Sequence, residues 1–197
     1  VVNALSKWCR VVVKRNGEVV TQEYEKGGDV VGPVKEIDPK KPETKIKGEK
    51  WNLDLKDWDY ENFSIVQFLP DEKIFETVDF QTSFFINQIK EYAYLTAGIR
   101  FEIIDERNDI HENYYFEGGI KSYLMSLNRH RTVVHDNIYY ANKTIDDVEV
   151  EVALQYNDSF NENVLCFANH LKNIEGGTHL TGFRTALTKT VNDYARK

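Results

Sequence analysis

The sequence predicts an α+β fold, in which antiparallel strand pairs and helices follow one another along the chain. One strand pair is indicated around the turn Asn16-Gly17, and a second around the polar stretch DERNDIHEN. Between them, apolar residues recur at helical spacing. The chain has 197 residues, of which 41% are hydrophobic and 13% aromatic. It can therefore bury a core in one large domain or in two small ones.

The first elements are the end of a helix and a hairpin. The opening VVNALSKW is typical of a helix end, and CRVVVKRNGEVVTQEYEK predicts two strands, since Asn-Gly fits a two-residue turn. Residues 33–62 hold three of the four prolines and many charges, which indicates an exposed insertion with one short strand near residues 51–55. The segment SIVQFLPD then predicts a strand that ends at Pro70.

A long helix is expected next, with Asp79 as its N-cap and Gly98 just after its end. Its apolar face is formed by Phe85, Ile86, Ile89, Tyr92 and Ala93. The alternating stretch from Ile99 begins the second hairpin, and EGGIKSYLMSLN predicts a short helix. Strands are expected at NIYYAN, VEVEVALQYN and NVLCFAN, and a last helix from about Thr181 to Lys197.

Composition limits the classes of function. The formal net charge of −7 argues against a surface that grips nucleic acid everywhere, so that any DNA contact must be local. Cys9 and Cys166 have no partner at metal-ligand spacing and are expected to be buried free thiols in a reducing compartment. No apolar run has the length of a membrane span and no leader is visible, so we expect a soluble protein.

The sequence contains no supported catalytic or metal-binding constellation. Glu149 and Glu151 alternate with valines on a strand, which predicts an outward polar face and not an acid-base pair. Gly176 and Gly177 precede the last helix. Two interpretations are open for this pair: backbone N–H groups that cradle a phosphate, or a tight structural corner.

Five segments, in this order and spacing, resemble one family. They are VVNALS, FLPDEKIFE, FEGGIKSYL, VEVALQYNDSFNENVLCFAN and EGGTHLTGFRTALTKTVNDYARK. They are similar to the ATPase subunit of bacterial-type type IIA DNA topoisomerases, that is, the B subunits of gyrase and of topoisomerase IV. The resemblance covers nearly the whole chain except about residues 33–62.

The resemblance implies a part of a GHKL ATPase α/β sandwich, followed by a transducer domain with a left-handed βαβ unit. Residues 1–107 would form the later half of the first domain, with 33–62 as a variable insertion. Residues 108–197 would form the earlier part of the second. The chain is thus expected to be a fragment.

The implied function is an ATP-operated clamp that couples ATP binding and hydrolysis to DNA strand passage and supercoiling. ATP and Mg²⁺ would be its cofactors, with most ligands outside this chain, so that the chain alone is expected to be inactive. DNA, a gyrase A-type subunit and a second copy of the ATPase subunit would be its partners, in the bacterial cytoplasm at the nucleoid or in a plastid-type organelle. Two alternatives stay open: a decatenase of the topoisomerase IV type, and a stand-alone nucleic-acid-binding module with a transducer fold.

Ser64 is the nucleotide-binding candidate. The family has Gly-Thr in the strand before its F-x-P-D motif, with the threonine hydroxyl near adenine. Counting back from Phe68 to Asp71, these places hold Phe63 and Ser64. Serine keeps the hydroxyl. Because the bulky Phe63 replaces the glycine, a second interpretation stays open, in which Ser64 only begins a strand and has no contact with the nucleotide. Residues 1–3 are expected to be scaffold behind the phosphate-binding glycines.

The DNA-facing candidates are Lys121, Arg129 and Arg131, together with His130, on and after the short helix. They would line a cavity through phosphate contacts, or they would form an ordinary solvated helix face.

In the family, the EGGTH motif lies in the transducer, away from the triphosphate. For Gly176 and Gly177, the resemblance therefore favours the structural corner over the phosphate cradle. Thr178 is expected to cap a turn, and Phe183 is expected to lie in the core. His179 and Arg184 are expected to be structural and solvated, with coupling to neighbouring segments as the alternative.

Overall fold

In a computed structural model of the chain, residues 1–37 and 60–197 are described. They form two compact units, Val1–Phe80 and Gln81–Lys197. The strand expected near residues 51–55 lies outside the described residues. The boundary between residues 107 and 108 that the resemblance implies falls within the second unit, and it stays a prediction.

The described residues of the first unit form a five-stranded antiparallel sheet. Its strands are β1 (Ser6–Arg15), β2 (Glu18–Glu25), β3 (Asp29–Val30), β4 (Lys35–Glu36) and β5 (Phe63–Pro70). The order is β3-β2-β1-β5, and β4 also pairs with β2. The long strand β1 lies between β2 and β5, so the sheet is organised around it.

The first hairpin is confirmed. Arg15 pairs with Glu18, and the two turn residues have φ of 53° at Asn16 and 83° at Gly17. The predicted helix end at VVNALSKW is wrong in extent, because only a single 3₁₀ turn forms at Asn3–Leu5 and β1 begins directly after it. Trp8 and the alternate residues that follow are buried on one face of the sheet, which favours a strand over a helix here.

The core of this sheet is small and apolar, with one buried cation beside it. Val12 and Val19 are each 1% exposed, and Ile65 packs against them. On the same face, the Nε and Nη2 groups of buried Arg10 donate to Oε1 of Gln67 on β5. The Nη1 group has no hydrogen-bond partner among the described residues. Burial lowers the pKa of Arg10.

The second unit consists of helices and short strand pairs. Its elements are α1 (Thr82–Leu95), β6 (Arg100–Asp105), β7 (Ile110–Tyr115), α2 (Gly119–Leu127), β8 (Tyr139–Ile145), β9 (Val148–Leu154), β10 (Phe167–Ala168), β11 (Leu171–Lys172) and α3 (Thr178–Ala195). The strands pair as the hairpins β6-β7, β8-β9 and β10-β11. With the first unit, this confirms the α+β class.

Two predicted helix starts are wrong. The N-cap of α1 is Gln81, not Asp79, and no side chain caps the helix. The chain is extended at Gln81, and the hydroxyl of Thr82 reaches the carboxylate of Asp105, which fixes the start of α1 from outside the helix. The last helix begins at Thr178, three residues before the expected start at Thr181, so Thr178 is a helical residue and does not cap it.

Aromatic rings join α1 to α2. Tyr94 of α1 stacks on Phe116 at 3.7 Å and on Tyr123 of α2 at 4.7 Å between ring centroids. The hydroxyl of Tyr123 donates to Glu91 over 2.8 Å, and Lys172 Nζ donates to the same carboxylate oxygen over 3.1 Å. Burial, together with the bond to Glu91, raises the pKa of Tyr123. One carboxylate thus holds α1, α2 and β11 together.

The double glycine before α3 forms a corner. Gly176 has a φ of 75°, and a Cβ atom there would lie 2.9 Å from Leu180 Cδ2. Gly177 is extended, with a φ of 170°, and a Cβ atom there would meet only the ring of His179. Phe183 is half-buried. Gly176 is therefore the residue that the corner requires.

Cys9 is buried, Cys166 is half-buried, and both are free thiols. Burial raises the pKa of Cys9. Within the described ranges 1–37 and 60–197, no helix is both long and apolar enough to cross a membrane.

Asp105 is the most heavily bonded carboxylate of the second unit. It accepts hydrogen bonds from the backbone N–H, Nε and Nη2 of Arg107, each at 3.0 Å, from Asn108 Nδ2 at 2.9 Å, and from the Thr82 hydroxyl. Its side chain is 7% exposed. The Arg107 guanidinium, helped by Thr82 and Asn108, holds the pKa of this carboxyl well below its usual range.

We predict that Asp105→Asn lowers the melting temperature of the protein at neutral pH. Because the folded-state pKa is lowered, the carboxylate stabilises the fold above the unfolded value of about 3.9, and this contribution is lost as the pH falls through the folded-state value. The gap in melting temperature between wild type and variant should therefore be full at pH 7 and narrow below about pH 4. Asp109→Asn, in the same turn, is the matched control for charge removal. A gap that does not change with pH would contradict the assigned role.

We also predict that Gly176→Ala destabilises the protein more than Gly177→Ala. Alanine at residue 176 must adopt a left-handed backbone and displace Leu180, at a cost of about 1 kcal/mol or more. At residue 177 the backbone is already extended and the His179 ring can rotate away. Denaturant unfolding of both variants measures the difference, and equal midpoints would show that the corner does not depend on Gly176.

Candidate functional site

Ser64 lies on an exposed apolar face of the first sheet. It pairs with Val13 in register, and it shares its side of β5 with Val66, which is 55% exposed, and Phe68, which is 42% exposed. The side chain of Ser64 is itself exposed. Alternation places Ile65 and Gln67 on the opposite, half-buried face. The hydroxyl can bond the edge of a heterocyclic base, and the exposed apolar side chains beside it can contact the face of the base.

The register of β5 determines which face Ser64 occupies. Eight residues of β1 are paired along β5, with one irregularity between Ser6 and Trp8 at the far end from Ser64. A slip by one residue would turn Ser64 to the buried side, because successive strand residues point to opposite faces. The exposure of the hydroxyl is therefore set by the whole strand pair.

The three basic candidates lie at opposite ends of α2. Lys121 is in the first turn of α2, whereas Arg129 and Arg131 follow the end of this helix. Lys121 and Arg129 are eight residues apart, which corresponds to about 12 Å along a helix. All three side chains are exposed, as is that of His130. The structure thus separates a lysine from a pair of arginines.

Lys121 lies against the β8-β9 hairpin. Its Nζ is 4.6 Å from the ring centroid of Tyr140, a distance at which a cation and an aromatic face attract. The Tyr140 hydroxyl donates to Glu151 over 2.8 Å, and this bond, more than burial, raises the pKa of Tyr140. Asn142 Nδ2 donates to Glu149 over 2.9 Å. Glu149 and Glu151 are both exposed, and so are Val148 and Val150 of the same strand.

The segment that directly follows the arginine pair has its backbone held by a distant part of the chain. The N–H of Asp158 donates to the carbonyl of Thr132 over 2.9 Å, and the N–H of Val134 donates to the carbonyl of Tyr156 over 2.9 Å. The Thr132 N–H donates to Asp158 Oδ1 over 3.3 Å. Residues 132–134 therefore run beside residues 156–158 although neither belongs to a strand.

The side chains that secure this segment were not predicted from the sequence. Asn128 ends α2 and is 9% exposed, and its amide bonds to Gln155 and Asn157. His135 bonds through both ring nitrogens. The available signal was the amide residues in LNRHRTVVHDN, which contains the basic stretch, and in LQYND, which follows it.

Near the C-terminal corner, Arg184 does join two segments. Its Nη2 donates to Glu162 Oε2 over 2.8 Å, which connects α3 to the stretch before β10. Both side chains are largely exposed, so this ion pair contributes little to stability. His179 lies over Gly177 and is exposed. Neither residue forms part of a catalytic arrangement.

No group of three or more His, Cys, Asp or Glu side chains that could hold a metal lies among the described residues.

Comparisons with known proteins agree with the fold and the motifs. A sequence profile of the DNA gyrase B family matches residues 119–197. The DNA gyrase B subunit of Clostridium acetobutylicum is 42% identical over 199 residues, which cover 100% of this chain and 28% of that protein. The DNA topoisomerase 4 B subunit of Bacillus subtilis is 34% identical over 100% of this chain and 27% of its own length. The chain thus spans little more than a quarter of these relatives.

Solved structures show the same fold. The 43K ATPase domain of Thermus thermophilus gyrase B, in complex with an aminocoumarin, superposes with a TM-score of 0.78 at 28% identity, over 98% of this chain and 48% of that one. The B subunit of Myxococcus xanthus DNA gyrase has a TM-score of 0.83 at 22% identity, over 99% and 52% of the two chains, and supports the fold alone. Homologous over its whole length to the B subunits of gyrase and topoisomerase IV, this chain belongs to the B-subunit family of type IIA DNA topoisomerases.

Proposed function

We propose that this chain is part of the ATP-operated clamp of a gyrase-type topoisomerase, which couples ATP binding and hydrolysis to DNA strand passage and supercoiling. The observation that carries the proposal is the match over 100% of the chain to a gyrase B protein at 42% identity. The match extends across both compact units, so the proposed function has to account for both of them. A stand-alone nucleic-acid-binding module would explain only the second unit and is not favoured. A topoisomerase IV-type decatenase is the remaining alternative.

The first unit would contribute to the nucleotide site through β5. The exposed hydroxyl of Ser64 can bond the edge of the adenine or a water molecule that bridges to it, while Val66 offers apolar contact. ATP and Mg²⁺ would be the cofactors, and most of their ligands are expected outside this chain. Ser64 would bind and orient the base, and no chemical step is assigned to it.

The second unit would contribute a DNA-facing surface. Arg129 and Arg131 are exposed, and a planar guanidinium binds phosphate oxygens in a bidentate manner. Such contacts hold a duplex without reading its sequence, which suits a segment of DNA in transit. With a net charge of −7, the chain can present only a local positive surface.

The proposed partners are DNA, a gyrase A-type subunit and a second copy of the ATPase subunit. The proposed location is the bacterial cytoplasm at the nucleoid, with a plastid-type organelle as the alternative. Homology to DNA gyrase B subunits supports DNA and a gyrase A-type subunit as partners.

Ser64→Ala in the intact ATPase subunit should weaken binding of a non-hydrolysable ATP analogue. The expected loss is about 0.5–1.5 kcal/mol, the usual contribution of one neutral hydrogen bond. Isothermal titration in magnesium buffer measures it, with Ser83→Ala on α1 as the control for loss of an exposed serine. Equal affinities of wild type and Ser64→Ala would return Ser64 to a purely structural role.

Replacing Lys121, Arg129 and Arg131 together by Ala should impair DNA-stimulated ATP turnover and supercoiling, while nucleotide binding without DNA stays nearly unchanged. The difference from wild type should shrink as salt rises, because exposed charges are screened within about 10 Å at about 0.1 M salt. Each exposed substitution should cost within about 0.5 kcal/mol of stability, which a melting curve checks.

The control for this experiment removes the same charge elsewhere, by replacing Lys7, Lys73 and Lys189 with Ala. If the control loses as much DNA stimulation as the basic triple variant, the effect is one of net charge and not of a DNA-facing surface.

A further inference from the structure

A chain of side-chain amides begins at Asn128, the residue that precedes Arg129. Asn157 Nδ2 donates to Asn128 Oδ1 over 2.8 Å, and Asn128 Nδ2 donates to Gln155 Oε1 over 2.9 Å. Gln155 Nε2 then donates to the backbone carbonyl of His135 over 3.0 Å. Each amide in the middle of the chain therefore accepts from one neighbour and donates to the next.

The imidazole of His135 closes the same segment from its other end. Its Nδ1 contacts the carbonyl of Asn137 at 2.6 Å, and the backbone N–H of Tyr156 approaches its Nε2 at 3.1 Å. A carbonyl only accepts and a backbone N–H only donates. The neutral ring with its proton on Nδ1 satisfies both contacts. His135 thus bonds to the backbone at Asn137 and at Tyr156.

These contacts surround the two arginines in sequence. The N–H of Arg131 donates to the carbonyl of Asn128 over 2.9 Å, so the backbone between them forms a tight turn. Asn128 is nearly buried, and a buried amide that loses its partner is costly. The path of residues 128–135 is thus determined by hydrogen bonds to residues 155–158, which lie far along the chain.

We propose that Asn128, Gln155 and His135 are positioning residues that hold Arg129 and Arg131 in one arrangement for the phosphates of a DNA backbone. This inference rests on the proposed DNA contact of the arginine pair. The physical reason is entropic: a loop that is ordered before binding loses less conformational freedom when its arginines meet phosphate. The side chains of Asn128 and Gln155 are uncharged amides, so the proposed role does not rest on attraction between their charge and DNA.

The test separates position from charge in the intact ATPase subunit assembled with its partner subunit. Gln155→Met keeps the length and the charge of the side chain and removes the hydrogen bonds of its amide to Asn128 and to the carbonyls of His135 and Asp136. The readout is the DNA concentration that half-saturates DNA-stimulated ATP turnover, measured over a series of salt concentrations. We expect this concentration to rise by about 3- to 10-fold at every salt concentration, with the slope of its logarithm against log salt unchanged, because no phosphate contact is removed.

The comparison variant is Arg129→Gln with Arg131→Gln. Each lost phosphate contact should reduce the slope by about 1, so this variant should change the slope as well as the half-saturating concentration. Asn142→Ala, on the same unit but outside the amide chain, should behave as wild type. ATP turnover without DNA should be unchanged in Gln155→Met and Asn142→Ala, and melting curves identify any variant that does not fold.

His135→Phe provides a second variant of similar volume, for use if Gln155→Met does not fold, and the same result is expected of it. If the arginine variant leaves DNA stimulation unchanged, the proposed DNA contact itself is overturned. If the arginine variant acts but Gln155→Met and His135→Phe match wild type, only the positioning role is overturned. A reduced slope in Gln155→Met would also overturn it, since that result means lost phosphate contacts.

Discussion

Buried polar side chains require hydrogen-bond partners, and this requirement determines which helices, strands and turns of the chain lie in contact. Asp105 is satisfied by groups from the turn that follows it and from the start of α1, and so fixes where this helix begins. Asn128 is satisfied by Gln155 and Asn157, and so fixes where the chain goes after α2. Glu91 does the same for α1, α2 and β11. Apolar packing holds the parts together, while these bonds select one arrangement among those that packing allows.

Arg10 shows the limit of this principle. Two of its nitrogen groups bond to Gln67 across the β1-β5 pair, whereas Nη1 lacks a partner among the described residues. Burial of an incompletely satisfied guanidinium is unfavourable, and the lowered pKa of Arg10 expresses the same cost. The bonds to Gln67 partly offset it and tie the register of β5 to that of β1. Since this register places Ser64 on the exposed face, a residue on the opposite side of the sheet contributes to the geometry of the candidate nucleotide contact.

The features that could be predicted from the sequence are those decided by neighbouring residues. Asn16-Gly17 forms its turn because both residues tolerate positive φ, and Gly98, with a φ of 80°, follows the end of α1 for the same reason. The start of α1 was placed wrongly at Asp79 because the group that fixes it, Asp105, is 23 residues from Thr82. In the same way, local sequence could indicate that Lys121 is exposed, but not that its Nζ would lie over the ring of Tyr140, 19 residues further along the chain.

The two candidate contacts differ in how their geometry is maintained, and this difference decides how each can be altered. Ser64 depends on a continuous backbone ladder, in which eight pairs share the task and no single side chain is required. The arginine pair depends on a few side-chain amides joined by consecutive hydrogen bonds. The loss of one bond therefore leaves the neighbouring amide without a partner. The backbone ladder tolerates side-chain substitutions but not a change of register. The amide chain tolerates few substitutions, but we expect the loss of one of its bonds to affect only the local loop. If the proposed DNA contact holds, neutral changes in the amide chain would alter the response to DNA without altering the charge of the arginine pair.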